Sequence, residues 1–366
     1  MSEADRRFMR LALGLAARGL GNVWPNPAVG CVIVKEGRIV GRGWTQPGGR
    51  PHAEVRALAQ AGAAAQGATV YVTLEPCAHH GKTPPCAEAL IAAKVARVVT
   101  ALQDPDPRVK GAGHAKLRAA GIAVSEGVLE AQARAAQAGF LTRITKARPW
   151  LALKLATSFD GRIATASGES QWITGPQARA HVHALRAQFD AVIVGGGTAR
   201  ADDPLLTVRR FQPKLAPVRV VASKGLDLPR NVLAGSLEQA PLWLLHGPDA
   251  PAEARAFWRS AGAELHEISV SDQQLDLEAA LQALGTLGLT RVFCEGGGAF
   301  GAALLRASLV DELIGYTAGL ALGSEGRPGL GALGLARLGD AARFELVESR
   351  AIGGDLYHRW RRQTHA

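Results

Sequence analysis

Apolar and polar positions follow two different periods along the first part of the chain, and these periods predict alternating helices and strands. The helical spacing of Phe8, Leu11 and Leu15 predicts a helix over 4–18. Short apolar runs bounded by turn residues predict strands at 29–34, 38–44, 69–74, 95–101 and 122–125. Further helices are predicted over 53–65, 87–93 and 130–145. We therefore expect a mixed sheet covered by helices on both faces.

The remainder of the chain repeats short apolar runs that end in helical or glycine-rich stretches. Strands are predicted at 150–156, 191–194, 218–222, 242–246, 264–268 and 291–294. Helices are predicted over 176–186 and over the stretch that ends at 306. Alternating strands and helices predict an α/β domain. The basic, proline-containing run 146–149 predicts the boundary, so that the domains are 1–146 and 147–366.

Length and composition agree with two globular domains. The chain has 366 residues, of which 47% are hydrophobic and 20% are charged. A formal net charge of +10 favours an anionic partner, either nucleic acid or phosphorylated small molecules. Arginines scattered along the chain suit bidentate contacts with discrete phosphates. We therefore expect a phosphorylated small-molecule partner and no nucleic acid.

The cysteines and the absence of long apolar runs indicate a location. The chain contains 4 cysteines and shows no disulfide framework, which is typical of a reducing compartment. Its start lacks the apolar stretch of a signal peptide. No apolar run reaches the ~20 residues of a membrane span. We expect a cytoplasmic protein with no membrane partner.

The stretch 51–86 concentrates side chains that bind transition metals. His52 and Glu54 open a predicted helix, and Cys77 and Cys86 flank a proline-rich loop. One imidazole and two thiolates leave a fourth tetrahedral position open, which is the arrangement of a catalytic zinc. Zinc lowers the pKa of a bound water toward ~7. We predict His52, Cys77 and Cys86 as zinc ligands and Glu54 as the proton-shuttling residue of a deaminase.

Two alternatives concern the same stretch. His79 or His80 could supply a fourth ligand, which would make the zinc structural and leave Glu54 without a role. A nucleic-acid deaminase with a basic RNA-binding module would also fit the net charge. The eight residues between Cys77 and Cys86 oppose this second alternative, because deaminases of nucleic acid use a compact Pro-Cys-x-x-Cys motif.

Two glycine-rich turns follow predicted strands in the second domain. One contains Gly195, Gly196 and Gly197, and the other spans 296–301 with the pattern Gly-x-Gly-x-x-Gly. Such turns bring backbone N–H groups and a helix N-terminus against a phosphate. As a dinucleotide fingerprint the second turn is incomplete, because no acidic residue follows ~20 residues later on a second strand. Together the turns favour a phosphate-bearing cofactor.

Seven stretches in the two halves carry recognisable motifs: 26–34, 73–86, 154–156, 167–174, 197–198, 201–204 and 295–297. In this order, and over nearly the whole chain, they resemble the bifunctional deaminase/reductase family of riboflavin biosynthesis. The resemblance implies a cytidine-deaminase-like zinc domain followed by a dihydrofolate-reductase-like domain that uses NADPH. It also implies hydrolysis of a diaminopyrimidine ribosyl phosphate and then reduction of the ribosyl chain to ribityl; a homo-oligomer is expected.

The resemblance also implies binding residues. Those for NADPH are Ala156, Trp172, Thr198, Asp202, Ser223, Gly297, Gly298, Ala299, Phe300, Gly301, Ala302 and Ala303. Those for substrate are Asn26, Lys154, Ser170, Arg186, Leu206, Arg209 and Glu295.

Some of these implied roles have alternatives. Asn26 would recognise the base, although an Asn-Pro turn is its alternative role, and Arg186 and Arg209 would bind the 5′-phosphate. Lys154 and Asp202 are both candidates for polarising the sugar. The chain departs from the family pattern at Thr45, where a histidine is frequent, and at Ala222, where an aspartate is usual.

Overall fold

The computed structural model describes residues 2–81, 84–210 and 213–363. The chain divides into two compact units, Met1–Ala147 and Arg148–Ala366. Lys82 and Thr83, in the loop between the two predicted cysteine ligands, lie outside the described residues. Within the described part of the chain, no helix combines the length and the apolar character that a membrane crossing requires.

The first unit is built on a five-stranded mixed sheet in the order β2-β1-β3-β4-β5. Strand β1 pairs antiparallel with β2 and β3, whereas β3, β4 and β5 are parallel. This confirms the predicted mixed sheet. The strands are β1 Gly30–Lys35, β2 Arg38–Trp44, β3 Thr69–Val72, β4 Arg97–Thr100 and β5 Ala123–Ser125.

Helices cover both faces of this sheet, and glycines allow them to approach closely. A Cβ atom on Gly30 would lie 1.9 Å from the Ala12 carbonyl oxygen, and one on Gly43 would lie 2.1 Å from that of Ala53. Gly43 pairs with Cys31, the neighbour of Gly30, so the two glycines face opposite sides. The helices are α1 Glu3–Ala16, α2 Ala53–Ala61, α3 Cys86–Ala92, α4 Ala112–Ala119, α5 Glu130–Ala136 and α6 Ala138–Lys146.

Two predicted helices of this unit have different ends in the structure. Helix α2 stops at Ala61, because Gly62 takes a positive φ of 52°, and a 3₁₀ turn follows. The single helix predicted over 130–145 is two helices separated at Gln137. The buried Gln137 side chain donates to the Ala28 carbonyl at 2.7 Å, a tertiary contact that helical periodicity does not reveal.

The second unit contains a nine-stranded sheet in the order β11-β10-β9-β8-β14-β6-β15-β18-β17. The strands from β11 to β15 in this order are parallel, and β18 and β17 are antiparallel. Parallel strands joined through helices confirm the predicted α/β class. The strands are β6 Trp150–Thr157, β7 Arg162–Ala164, β8 Ala191–Gly195, β9 Val218–Ala222, β10 Leu242–His246, β11 Glu264–Glu267, β12 Val270–Ser271, β13 Gln274–Leu275, β14 Arg291–Cys294, β15 Glu312–Ala318, β16 Arg327–Pro328, β17 Phe344–Ile352 and β18 Asp355–Arg362.

The helices of the second unit connect these strands. They are α7 Pro176–Arg186, α8 Gly196–Asp202, α9 Val232–Gly235, α10 Ala252–Ala261, α11 Leu277–Thr286 and α12 Gly298–Arg306. Sequence periodicity did not predict α8, which begins directly in the first glycine-rich turn, nor the strands β15, β17 and β18. Strand β17 is exposed or half-buried at every position, so it lacks the alternation that identifies a strand with one buried face.

Candidate functional site

Three side chains of the first unit converge at the start of two helices. His52 directly precedes α2, at its N-cap position, and Cys86 is the first residue of α3. The His52 Nδ1 atom lies 3.7 Å from Cys77 Sγ and 3.3 Å from Cys86 Sγ. The Cys86 N–H donates to Cys77 Sγ at 3.2 Å, which joins the loop after β3 to α3. The sheet and the two helix N-termini therefore bring the three predicted ligands together.

The spacing of these three atoms fits a zinc ion. Tetrahedral zinc with bonds of about 2.3 Å to sulfur and about 2.05 Å to nitrogen separates the two ligand atoms by roughly 3.6 Å. The two observed nitrogen–sulfur distances lie on either side of this value. Within the described residues, His52, Cys77 and Cys86 form the group of possible metal-ligand side chains, and neither His79 nor His80 belongs to it.

His80 points toward another partner. Its Nε2 atom lies 3.4 Å from Glu88 Oε2, and its side chain is largely exposed. The Nδ1 atom of His79 is buried and has no hydrogen-bond partner among the described residues. The histidines of the loop therefore do not complete a closed, four-ligand site in this geometry.

Glu54 lies in the first turn of α2, two residues after His52, and only 4% of its surface is exposed. Burial raises the pKa of this carboxyl to about 7, and the neighbouring Cys77 adds to the increase. A carboxyl with this pKa can hold or release a proton at neutral pH, as a general acid–base group must.

The two thiols differ in acidity. A hydrogen bond from Cys86 lowers the pKa of Cys77 to about 4, and the same bond raises the pKa of Cys86. His52, with its pKa raised chiefly by its bond to Cys77, completes the hydrogen-bonded group. A thiolate beside a second thiol and an imidazole is the donor set that a soft divalent cation binds by displacing protons.

Glu75 holds the loop that faces the cysteines, a role that the sequence analysis missed. Its buried carboxylate accepts the backbone N–H groups of Asp104, Gly111, Gly113 and His114 at 2.9–3.2 Å. Gly113 packs so closely that a Cβ there would lie 2.0 Å from the Pro76 carbonyl oxygen. The sequence did offer one signal for this role, because Glu75 is an acidic residue between a buried strand and the predicted ligand Cys77.

Asp104, on the loop held by Glu75, is a second acid that the sequence analysis did not identify. It is 6% exposed, and burial raises its pKa to about 6. Its Oδ1 atom accepts the Asp106 N–H at 2.9 Å. Cys77 is close enough to contribute to the increase in pKa, so Asp104 belongs to the surroundings of the metal ligands.

Asn26 lies beside the segment that leads into His52. Gly49 has a φ of +83°, and a Cβ there would lie 1.8 Å from the Asn26 side-chain nitrogen. Thr45, the departure from the family pattern, has a structural contact instead: its hydroxyl donates to the Pro27 carbonyl and accepts the Val29 N–H, both at 3.0 Å. Thr45 therefore supports the loop that carries Asn26.

In the second unit, the Glu295 carboxylate, directly after β14, contacts two cationic side chains. Its Oε2 atom lies 3.6 Å from Lys154 Nζ, and its Oε1 atom accepts the Nε–H of Arg186. Burial by itself raises the pKa of Glu295, but Arg186 and Lys154 outweigh burial and lower it to about 2. Burial lowers the pKa of Lys154, and Glu295 opposes this decrease. Three predicted substrate residues thus form one largely buried, charged group.

The two glycine-rich turns meet beside this group. Gly195 precedes α8 and Gly297 precedes α12, at the carboxyl ends of the adjacent strands β8 and β14. The Gly297 N–H donates to Thr198 Oγ1 at 2.7 Å, which links the turns directly. Clefts outside the carboxyl ends of parallel strands are common ligand sites. The nine-residue helix α12 and the glycine backbone fit a phosphate-bearing cofactor.

The other predicted residues of this unit have varied surroundings. Ser223 lies next to the first turn, where a Cβ on Gly196 would be 3.1 Å from its Oγ, and Ala156 pairs with Tyr316 inside the sheet. Trp172 is 64% exposed, with the Arg179 guanidinium 4.5 Å from its ring centroid. Ser170 and Asp202 are exposed, and Leu206 is buried with a φ of 54°.

Arg186 and Arg209 differ in how their side chains are engaged. Arg186 is 9% exposed and donates one Nη1–H to the Thr207 carbonyl at 2.7 Å, in addition to its bond with Glu295. Arg209 is exposed, and its backbone N–H donates to His183 Nδ1 at 3.2 Å. Burial and the neighbouring arginines lower the pKa of His183 to about 4, so this imidazole is neutral. The sequence analysis did not identify His183 as part of this site.

Known protein families match both units. Residues 149–357 match the family described as the RibD C-terminal domain. Residues 2–102 match the family described as the cytidine and deoxycytidylate deaminase zinc-binding region. The second match includes His52, Glu54, Cys77 and Cys86, and the first includes Lys154, Arg186, Arg209 and Glu295.

Individual relatives align along nearly the full length of the chain. A riboflavin biosynthesis protein RibD from Escherichia coli (strain K12) is 45% identical over 359 residues, which cover 96% of this chain and 98% of the relative. The RibD of Aquifex aeolicus is 38% identical over 354 residues and covers 97% of each chain.

Solved structures agree over the same length. One crystal form of Acinetobacter baumannii RibD matches with a TM-score of 0.89 and 39% identity over 99% of both chains. A diaminohydroxyphosphoribosylaminopyrimidine deaminase/5-amino-6-(5-phosphoribosylamino)uracil reductase from Thermotoga maritima matches with a TM-score of 0.86 and 34% identity, again over 99% of both chains.

Proposed function

The chain belongs to the RibD family of riboflavin biosynthesis proteins and is a bifunctional enzyme with a zinc-dependent deaminase and an NADPH-using reductase; on this premise we propose how its residues divide the work. Residues 1–146 would remove the exocyclic amine from 2,5-diamino-6-ribosylamino-4(3H)-pyrimidinone 5′-phosphate. Residues 147–366 would then reduce the ribosyl chain to ribityl. The observation that carries this assignment is the His52, Cys77 and Cys86 trio beside a buried Glu54, in one chain with the charged group around Glu295.

In the deaminase, His52, Cys77 and Cys86 would hold the metal and Glu54 would move the protons. Zinc, when bound there, supplies a Lewis acid that makes water nucleophilic near neutral pH. Glu54 accepts a proton from the attacking water and returns one to the departing amine, because its pKa of about 7 allows both transfers. Burial keeps its carboxyl away from bulk water, which would otherwise compete for that proton.

Asn26 is the proposed recognition group for the pyrimidine. Its side-chain amide can donate to and accept from one edge of the ring. Gly49 and the contacts of Thr45 restrict the loop that carries Asn26, so its amide is held close to the segment preceding His52. A restrained amide loses less entropy on binding than a mobile one.

In the reductase, we propose Lys154 rather than Asp202 as the group that polarises the sugar. NADPH, when bound, supplies the hydride. Lys154 is half-buried and paired with Glu295, so its ammonium can donate a hydrogen bond to a substrate oxygen in a poorly solvated site. Asp202 is exposed at the end of α8 and keeps a proposed role in cofactor binding.

The two linked glycine turns would bind the phosphates of NADPH. Backbone N–H groups at the start of α12 offer donors that need no side chain, and Thr198 fixes the turn from the other side. The remaining residues proposed for NADPH are Ala156, Trp172, Asp202, Ser223, Gly297, Gly298, Ala299, Phe300, Gly301, Ala302 and Ala303.

Arg209 is the proposed principal contact of the substrate 5′-phosphate. Its guanidinium is exposed, whereas Arg186 already donates to Glu295 and Thr207 and would contribute through its remaining N–H groups. Arg186 would also hold Glu295 in place against Lys154. Ser170 and Leu206 are proposed to complete the substrate pocket.

We further propose that the protein acts in the cytoplasm as a homo-oligomer. A reducing compartment keeps the thiol ligands available for metal. At the edge of the nine-stranded sheet, no position of β17 is fully buried, and its Leu346 and Val347, with Leu356 on the neighbouring β18, are 46–48% exposed. An uncovered edge strand with apolar side chains favours pairing with a second copy.

One assay tests the proposed function most simply. Purified protein is given the diaminopyrimidine nucleotide and NADPH, and ammonia release and NADPH oxidation are followed together. We expect one ammonia and one oxidised NADPH per substrate, with ammonia appearing first. NADPH oxidation without ammonia release would contradict the proposed order of the two reactions.

A further inference from the structure

A groove of about 500 Å³ opens at the β2 edge of the first unit, and none of the side chains assigned to deamination lines it. Three elements line it: Leu15 and Arg18 come from α1 and the turn after it, Arg42 and Trp44 from β2, and Arg56 and Gln60 from α2. Its volume lies in the range of about 300–1,000 Å³ that is usual for small-molecule sites.

The groove collects positive charge that no carboxylate neutralises. Within residues 2–81, 84–210 and 213–363, no ion pair involves Arg18, Arg42 or Arg56, and no acidic side chain lines the groove. Other exposed arginines of this unit do pair, as Arg10 does with Glu3 and Arg134 with Glu130. Three arginines that converge without counter-charges make a local attraction for anions.

An aromatic ring lies among these arginines. The Arg18 guanidinium stacks 5.0 Å from the centroid of the half-buried Trp44 indole. This contact holds the ring in position, and an indole is a good platform for stacking a planar heterocycle. The groove therefore combines donors for a phosphate with a surface for a base.

At Arg42, a side chain of the same unit already bonds to the edge of the sheet. Strand β2 is the outermost strand, and Gln60 Oε1 accepts the Arg42 N–H at 2.7 Å. An added strand from another chain would have to displace this bond. The arrangement therefore favours a small ligand over an extended peptide.

We propose that this groove binds a free nucleotide, that is, a phosphate ester of a planar heterocycle. Arg42 and Arg56 contact the phosphate, and Trp44, supported by Arg18, stacks on the base. None of these residues belongs to the metal ligands or to the proposed substrate contacts. Arg56 is on the exposed side of α2, whereas Glu54 is on its buried side.

The test uses UMP and inorganic pyrophosphate as probes, in calorimetric titrations of the full chain saturated with NADPH. Arg42→Gln/Arg56→Gln should weaken UMP binding at least about tenfold, because it removes two charge-assisted contacts. The matched control is Arg6→Gln/Arg38→Gln, which removes the same charge from exposed positions outside the groove and should leave binding unchanged. Trp44→Leu should weaken UMP binding and leave pyrophosphate binding unchanged.

Three results would overturn the proposal. Unchanged UMP affinity in Arg42→Gln/Arg56→Gln removes the groove as the site. An equal loss in the Arg6→Gln/Arg38→Gln control means that general charge, and not the groove, attracts the anion. A twelve-nucleotide oligouridylate that binds far more tightly than UMP, with affinity falling steeply in salt, identifies a nucleic-acid surface instead. Deaminase and reductase rates of the groove variants should stay at the wild-type level, which separates this site from the proposed catalytic ones.

Discussion

Two glutamates, one in each unit, have pKa values that are shifted in opposite directions. Burial raises the pKa of Glu54 to about 7, whereas two cations lower the pKa of Glu295, which is only slightly more exposed, to about 2. The difference lies in their neighbours: Glu54 lies beside thiols and an imidazole, and Glu295 lies between Arg186 and Lys154. Environment therefore allows one carboxyl to exchange a proton near neutral pH and keeps the other an anion in contact with two cations.

The two sites also differ in how the chain assembles them. His52 and Cys86 are 34 residues apart, and the spacing of the motif alone predicts that they meet. Arg186 and Glu295 are 109 residues apart, and the order of β6, β14 and α7 brings them together. We expect the metal site to fail when any one of its three ligands is lost. The site around Glu295 should instead lose activity gradually as its residues are replaced. The following experiments test that contrast.

The largest effect is expected from Cys86→Ser. Loss of one thiolate should lower the zinc content well below one per chain and reduce deamination at least about a thousandfold, because three ligands leave no spare. Metal analysis and ammonia release measure the two effects. Cys31→Ser is the matched control, since this buried thiol lies outside the ligand trio. Full zinc content in Cys86→Ser would remove Cys86 from the ligand set.

Lys154→Met should reduce the reductase kcat about a hundredfold on the deaminated substrate, because it removes the group proposed to polarise the sugar. It should leave ammonia release unchanged. Asp202→Asn, at the exposed end of α8, should have a much smaller effect on kcat. A larger loss in Asp202→Asn than in Lys154→Met would reverse the assignment of the two residues.

Arg209→Ala should raise the reductase KM for the phosphorylated substrate about tenfold, through loss of one charge-assisted contact. The KM for a dephosphorylated analogue should not change. Arg210→Ala is the neighbouring control, because it removes the same charge from the adjacent exposed position. Equal effects on both substrates would exclude a phosphate contact at Arg209.

The last effect concerns the stability of the first unit rather than either reaction. Burial by itself raises the pKa of Asp5, but hydrogen bonds from Arg97, Ser2 and Tyr71 lower it to about 2. Because the pKa of Asp5 is lower in the folded state, its carboxylate stabilises the fold at pH values above its ordinary pKa of 3.8. This contribution is lost as the pH falls toward 2. Asp5→Asn should cost about 2 kcal/mol at pH 7 and almost nothing near pH 2.

Denaturant unfolding at the two pH values measures this effect. The exposed Asp249→Asn in the other unit is the control, and it should leave the stability of the first unit unchanged. An equal cost of Asp5→Asn at both pH values would contradict an ionic contribution from Asp5.

The sequence predicts the metal trio and Glu54 because dense chemistry in a short motif leaves few other structures possible. It also predicts most of the strands that have a buried face, although not β15, which is buried at five of its seven positions. It does not predict that Arg186 and Lys154 share Glu295, because that contact depends on strand order. Glu75 escapes notice since its partners are backbone N–H groups, which no residue type reveals. Strand β17 escapes notice because it has no buried face.

The central claim is that one chain holds two separable reactions, with Glu54 serving only the first. The direct test is Glu54→Gln, which keeps the shape of the buried side chain, assayed with both the diaminopyrimidine nucleotide and its deaminated product. We predict full zinc content, no ammonia release, and NADPH oxidation at the wild-type rate on the deaminated product. Ammonia release at the wild-type rate, or loss of NADPH oxidation on the deaminated product, would contradict the account.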